Sequence, residues 1–192
     1  MQDGINSNAN IAFNSNYNNY TYMYYTNSQA KTQLESWYQT NIGSKKDLAK
    51  NVASGAYYCE QAKVKYRDDF TSGSAVMTTF NKYTPDFKCS SDGNGKGVVG
   101  LLTYDEAVYA GGYYRQSNSN YYLYNNNNNA FWTMSPAGFT SGRSCVWGVG
   151  STGFIYYDDV NITYAVRPVL NLTADTQISD GDGSKENPFV VE

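Results

Sequence analysis

Five consecutive asparagines, Asn125 to Asn129, stand between the aromatic runs YYLY (121–124) and FWTMSP (131–136). Asparagine competes with its own backbone for hydrogen bonds and suits neither a helix interior nor a strand. The run therefore has to be an exposed loop, and the aromatic stretches on either side have to be packed segments. That constraint predicts short elements joined by long polar loops in the second half of the chain.

The same chemistry pervades the sequence. Mean hydropathy is −0.59, yet only 16 % of residues are charged and another 16 % are aromatic, with 20 tyrosines. About a quarter of residues are charged in an ordinary soluble domain, so here Asn, Ser, Thr and Gly carry the polarity. Disordered chains lack aromatics and carry high net charge, which places this chain among folded ones. At 192 residues it reads as one domain, able to bury roughly 70 % of its unfolded surface.

Several functional classes are excluded at this level. The net charge is −3, and the tight basic groups are confined to Lys45–Lys46 and Lys63–Lys65–Arg67. Phosphate backbones need clustered Lys and Arg, so no nucleic-acid partner is expected. No apolar stretch reaches the length of a membrane span, so no membrane insertion is expected, and no signal-peptide pattern is visible. The chain is then either cytosolic or a mature segment already freed of its export signal. It contains no histidine, which removes Ser–His and Cys–His nucleophiles, histidine general bases and histidine zinc sites. Three cysteines cannot build a four-thiolate site. No catalytic residue, metal ligand or cofactor is predicted.

Along the chain, alternation at Thr21–Tyr25 predicts a strand. SQAKTQLESWYQTNI (28–42) is the best helix, capped by Asn27 or Ser28, with Ala30, Leu34, Trp37 and Tyr38 on one face and Gly43 at its end. Residues 44–58 read as weakly helical or irregular, and 66–97 as largely loop, with AVMTTF (75–80) a short strand. VVGLL then predicts a strand leading to Thr103, with Glu106 at capping-box spacing, and Gly111–Gly112 stopping the helix. CVWGV-GSTG-FIYYDD (145–159) reads as a β-hairpin, YAVRPVLNL (164–172) as a strand kinked or edged by Pro168, and DGDGSKENPFVV (180–191) as a turn and terminal strand. The expected class is α+β.

Cys59 and Cys89 sit at junctions between patterned segments and loops. A bridge between them would close a loop of about 30 residues and contribute about 3–4 kcal/mol. The alternative is three reduced thiols in the core, where Cys145 already reads as a buried strand residue.

Taken in order, GLLTYDEAVYAGG (100–112), YYLY, FWTMSP, YAVRPVLNL and DGDGSKENPFVV resemble an exported domain family of gut Gram-positive bacteria, phage-associated proteins and pilin-like surface proteins. Members share a GL(L/I)T-x-(D/E)E step, then W-(T/S)-(M/L)-SP, a hairpin carrying W-x-V…G, and a closing GVRP-x-(I/L)-x-L strand. The WYQTNI helix and the cysteines at 59 and 89 fit as well, and the resemblance runs from about Phe13 to Val191. The later half also resembles the C-type lectin-like fold of formylglycine-generating-enzyme-type domains and of retroelement variable proteins. These resemblances imply a C-type lectin-like α+β domain, with two helices packed on short antiparallel sheets, at an extracellular or cell-surface location. Family members carry a further strand upstream of Met1, which implies a shortened N-terminal edge. The calcium-dependent sugar motifs of true C-type lectins are absent, ENP at Glu186–Pro188 lacking their order. The oxygen-activating cysteine pair has no counterpart around Cys145. Neither activity carries over.

In a lectin-like fold, the insertion ahead of the W-x-x-SP strand lies on the ligand face. The candidate ligand-binding residues are therefore Tyr113, Tyr114, Arg115, Asn118, Asn120, Tyr121, Tyr122, Tyr124, Asn125 and Asn127, joined by Tyr156, Tyr157 and Asp158 from the hairpin. Tyrosine offers large amphipathic contact area at little rotamer cost, and Asn, Ser and Gly adapt their hydrogen bonds, as in antibody paratopes. Tyrosine is equally a strand residue and asparagine a loop filler, so ordinary surface has the same composition.

Other residues read as structural. Trp132 and Trp147 are core candidates, and Arg167 is expected to make an ion pair or carbonyl contacts. Asp180 and Asp182 mimic the start of a calcium loop but lack its closing Glu, so they predict a turn; Asp158–Asp159 reads as a solvated turn. Asp68–Asp69 and Asp105–Glu106 offer carboxylates, but no facing pair of the kind a glycosidase needs is identifiable. The expected function is non-enzymatic recognition of a glycan or a cell-surface protein. The alternative is a structural subunit of a filament or phage particle that self-associates through its tyrosines.

Overall fold

A computed structural model describes residues 10–60, 87, 89, 95–121, 123–124, 129–184 and 186–192. In chain order it contains β1 (Ile11–Ala12), α1 (Gln29–Tyr38), α2 (Lys46–Ala49), β2 (Ala56–Tyr58), β3 (Gly95–Gly97), α3 (Tyr104–Tyr109) and β4 (Tyr113–Tyr114). The long strands β5 (Phe131–Thr140), β6 (Arg143–Val149) and β7 (Phe154–Asp159) follow, then β8 (Thr163–Tyr164), β9 (Ile178–Asp180) and β10 (Val190–Val191). The expected α+β class is what these elements make.

The four-stranded sheet, in the order β4-β7-β6-β5, is the frame. β5, β6 and β7 form an antiparallel meander, whereas β4 joins β7 in parallel; the sheets are therefore not all antiparallel. Three two-stranded pairs, β1–β8, β2–β3 and β9–β10, surround it. Phe131 to Gly138 are buried at every position, so β5 reads as a continuous apolar and small-residue run rather than an alternating one. Pro136 cannot donate to a ladder, and the register of β5 shifts on both sides of it.

Successive residues of a strand point to opposite faces, and this divides the core in two. Trp132 and Val146 pack with Phe13, Tyr25 and Leu34 on one side. Trp147 and Ile155 pack with Tyr104 and Ala107 on the other. Both tryptophans are fully buried, as expected.

α1 begins where Ser28 accepts from the Lys31 N–H at 3.0 Å, and Ala30, Leu34 and Tyr38 form its buried stripe. It continues as a π-helical turn to Gly43. α3 carries the predicted capping box. The Thr103 hydroxyl accepts from the Glu106 N–H at 3.2 Å, and Glu106 Oε2 accepts from the Thr103 N–H at 2.7 Å. Gly111, at φ +113°, ends it.

Two strand expectations are corrected. Thr21–Tyr25 falls in two 3-10 helices, Tyr20–Met23 and Tyr25–Asn27. Met23 and Tyr25 are buried, which accounts for the alternation, but Asn19 accepts from the Thr21 N–H at 2.9 Å and turns the backbone. YAVRPVLNL is a strand only at Tyr164. Beyond it, single bridges join Ala165 to Phe131, Val169 to Gly100 and Leu172 to Val52. Pro168 interrupts the donors a ladder would need, and the extended segment instead staples three separate regions. VVGLL, likewise, contributes one bridge at Gly100. The expected AVMTTF strand and Asp68–Asp69 lie outside the described residues.

Cys59 and Cys89 are disulfide-bonded, and Cys145 is free and buried. Next to the bridge, the buried Glu60 carboxylate accepts from Lys31 Nζ at 2.7 Å with both oxygens and from the Thr26 hydroxyl at 2.9 Å. A buried charge needs this degree of pairing. It ties α1 to β2, and a side chain at Gly95 would run into the carboxylate. Among the described residues no helix is long and apolar enough to cross a membrane.

Candidate functional site

β4 is an edge strand, paired to β7 through Tyr113–Phe154 and Tyr114–Ile155. Tyr114 and Tyr157 project from the same sheet face and lie parallel, 6.4 Å between ring centroids and 4° between planes. Both meet the buried Trp147 edge-on, at 6.0 and 5.5 Å, and Tyr104 closes against the same indole at 4.7 Å. Trp147 is thus a rigid floor and the two half-buried tyrosines stand on it. Burial, and after it the neighbouring Tyr114, hold the Tyr157 phenol above its ordinary 10.0, so it is a neutral hydroxyl at neutral pH.

Arg115 ends this ridge. It is exposed, and its guanidinium carbon lies 5.2 Å from the Tyr114 ring centroid, within cation–π range. Its backbone is left-handed at φ +53°, a conformation that costs a non-glycine residue of the order of 1–3 kcal/mol. Its N–H donates to Ile155 O at 2.9 Å, which holds that conformation in place.

The loop after Arg115 is fastened down. Asn118 donates from its backbone to Thr152 O at 3.1 Å and from Nδ2 to Gly111 O at 2.7 Å, and the Ser117 and Thr152 hydroxyls are 2.8 Å apart. Asn118 therefore braces the loop against the β6–β7 turn. Asn120 is exposed, its N–H donating to Asn118 Oδ1 at 3.0 Å.

Other expected face residues lie elsewhere. Tyr121, 7 % exposed, belongs to the core with Leu123 rather than to an outer surface. Tyr124 is half-buried against the same cluster. Tyr122, Asn125 and Asn127 lie outside the described residues. Tyr113 is exposed, but its position in β4 turns it to the face opposite Tyr114. Tyr156 and Asp158 are separated from Tyr157 by the same alternation. Tyr156 packs on Phe154 and Tyr164, and Asp158 accepts from the Tyr164 hydroxyl at 2.8 Å. FIYYDD thus supplies residues to both sides of the sheet, Tyr157 to the side of Tyr114 and Tyr156 and Asp158 to the other, so the expected residues do not share one face.

Asp158 and Asp159 are strand residues rather than a solvated turn. Asp159 pairs with Arg143 and lies 3.5 Å from Cys145 Sγ. Burial, and then Asp159, push the Cys145 thiol up to about 12. A thiol held that high stays protonated and is a poor nucleophile. Arg167 makes the expected carbonyl contact, Nη1 donating to Leu123 O at 3.1 Å with its guanidinium 4.0 Å from the Phe131 ring. Asp180 and Asp182 form the predicted turn, accepting from the N–H groups of Gly181 and Ser184 at 2.7 and 2.8 Å. Among the described residues no group of His, Cys, Asp and Glu is placed to hold a metal ion.

Sequence reasoning missed a cavity of about 200 Å³ between β2, the start of α3 and the Val169–Asn171 segment, beside Cys59. Its walls come from five separate stretches of chain, and no local pattern marks them.

No family model, curated protein or solved structure was found to match the chain.

Proposed function

We propose that the protein is a non-enzymatic recognition domain at an extracellular or cell-surface location, binding a glycan or a surface protein through the Tyr114–Tyr157–Arg115 ridge. The carrying observation is Arg115, kept in a left-handed backbone conformation beside a parallel tyrosine pair on a buried indole floor. A glycine would adopt that backbone without strain, so an arginine there points to a use for its side chain. Tyrosine faces and a guanidinium are the groups enriched at binding hot spots. The sheet frame with polar insertions is compatible with a C-type lectin-like fold, and the Cys59–Cys89 disulfide is consistent with an oxidising compartment. The protonated thiol and the lack of histidine argue against nucleophilic catalysis, and the reading calls for no cofactor.

A glycan and surface-protein array probed with the purified protein, with and without calcium, tests this. Saturable binding that is lost in Tyr157→Ser and Arg115→Gly supports it, and binding that ignores both substitutions removes the ridge from consideration.

A second reading, a self-associating structural subunit, draws on the terminal ribbon. In β9–β10, Ile178, Val190 and Val191 are 55, 49 and 41 % exposed, with Phe189 beside them at 55 %. Exposed apolar strands with open edges template pairing with other chains. Light scattering across a concentration series separates the two readings.

A further inference from the structure

Given the ridge as the binding surface, on which this assignment rests, we infer that its ligand is an acidic glycan and that the Arg115 guanidinium takes the carboxylate of a sugar acid.

From Ala107 to Tyr157 the sequence contains no acidic residue, and the charged side chains of that stretch are Arg115 and Arg143. It is locally positive in a chain whose net charge is −3. The acidic residues that flank it are engaged. Glu106, before it, is bound in the α3 cap by the Thr103 N–H at 2.7 Å. Asp158, after it, lies on the opposite sheet face and accepts from the Tyr164 hydroxyl at 2.8 Å. Asp159 follows Tyr157 on the same face and pairs with Arg143. Arg115 itself has no carboxylate partner among the described residues.

The guanidinium is also held. The left-handed backbone at φ +53° and the N–H donated to Ile155 O at 2.9 Å fix one end of the side chain. The Tyr114 ring, 5.2 Å from the guanidinium carbon, fixes the other. Burial and the neighbouring Tyr114 raise the Tyr157 phenol, and the charge of Arg115 draws it down, so that charge reaches the second tyrosine as well. A planar fork of N–H donors meets a carboxylate with two parallel hydrogen bonds, and a fork already positioned loses less freedom on binding. A cation would be repelled here, and a neutral ligand would forgo the charge.

A sugar acid fits this ridge better than an acidic side chain of a protein. Its carboxylate sits on a rigid ring that also carries hydroxyls and a C–H face, which tyrosine hydroxyls and rings complement. An Asp or Glu side chain carries its carboxylate on a flexible stem whose freedom is lost on binding.

The test is an array of immobilised glucuronate, galacturonate and sialate glycans, each beside its carboxyl-reduced counterpart, with poly-glutamate as the peptide acid. The whole chain is expected on the acidic glycans, about tenfold more strongly than on the reduced ones, less strongly as salt is raised, and not on poly-glutamate. Arg115→Gln is expected to weaken capture about tenfold. Arg115→Lys, which keeps the charge but not the fork, is expected to weaken it about threefold. Equal capture of the reduced glycans, still lost in Tyr157→Ser, overturns the carboxylate assignment and leaves the ridge reading standing. Capture of poly-glutamate in place of the glycans overturns the sugar assignment in favour of an acidic protein. Capture of the acidic glycans that ignores both Arg115→Gln and Tyr157→Ser removes the ridge reading and the inference together, and no capture of any acidic glycan overturns the inference alone.

Discussion

The Tyr114 and Tyr157 rings lie parallel, 6.4 Å apart, because β4 and β7 run side by side in parallel and present both tyrosines to the face where Trp147 is buried. The pair is a product of the sheet. Neither residue's sequence neighbours share the ridge, apart from Arg115 at its end.

Tyr121, beside the asparagine run, and Tyr157, on β7, should therefore behave differently from one another. Tyr121→Ser removes a core ring and is expected to cost about 3 kcal/mol, lowering Tm by roughly 6–12 °C in a chain of this size. Tyr157→Ser, on the half-buried ridge, is expected to lower it much less while abolishing ligand capture. Differential scanning calorimetry of the two variants decides between a folding role and a binding role at each position.

Arg115→Gly is expected to separate stability from function. Glycine relieves the left-handed strain at φ +53° but has more unfolded-state freedom to lose, so Tm should change by no more than a few degrees. Binding through the ridge should disappear. A large fall in Tm would make Arg115 a structural residue and remove the main support for the recognition reading.

The Lys31–Glu60 pair predicts an asymmetric cost. Lys31→Met leaves a carboxylate that is 4 % exposed with only the Thr26 hydroxyl as partner among the described residues. Removing one partner of a buried pair costs about 3–5 kcal/mol; with Lys31 itself 22 % exposed at its side chain, the lower end is expected. The double variant Lys31→Met, Glu60→Met should recover part of that loss in urea titrations. Reduction of the Cys59–Cys89 bridge should cost a further about 3–4 kcal/mol.

Stability should fall at alkaline pH. Burial raises the thiol of Cys145 from 9.0 to about 12 and raises the phenols of Tyr25, Tyr121 and Tyr156 as well. The folded chain then holds protons that the unfolded chain releases. The contribution of Cys145 is complete below about pH 9 and is lost as the pH climbs towards 12; the tyrosines extend the loss above pH 10. An absorbance titration at tyrosinate wavelengths should resolve two classes, the exposed phenols titrating reversibly and the buried ones only as the protein unfolds. A single class titrating near 10 would contradict this burial.

At three places where the deciding interactions were local, the sequence by itself determined the structure. The capping box at Thr103 and Glu106, the Ser28 cap with its Ala30–Leu34–Tyr38 stripe, and the hairpin turning at GSTG span a few residues each. Their energies depend on neighbours along the chain. The α+β class and the burial of Trp132, Trp147 and Cys145 followed from the same short-range patterns. Only the tertiary structure decided which tyrosines share a face. A strand's period of two separates Tyr156 from Tyr157, and the inward turn of Tyr121 depends on where the loop meets Gly111 and Gly153. Tyr164–Leu172 alternates like a strand, but strand pairing needs a partner with free donors, and Pro168 and the fold leave it single bridges. The cavity beside the disulfide was illegible for the same reason: its walls meet only after distant segments have packed.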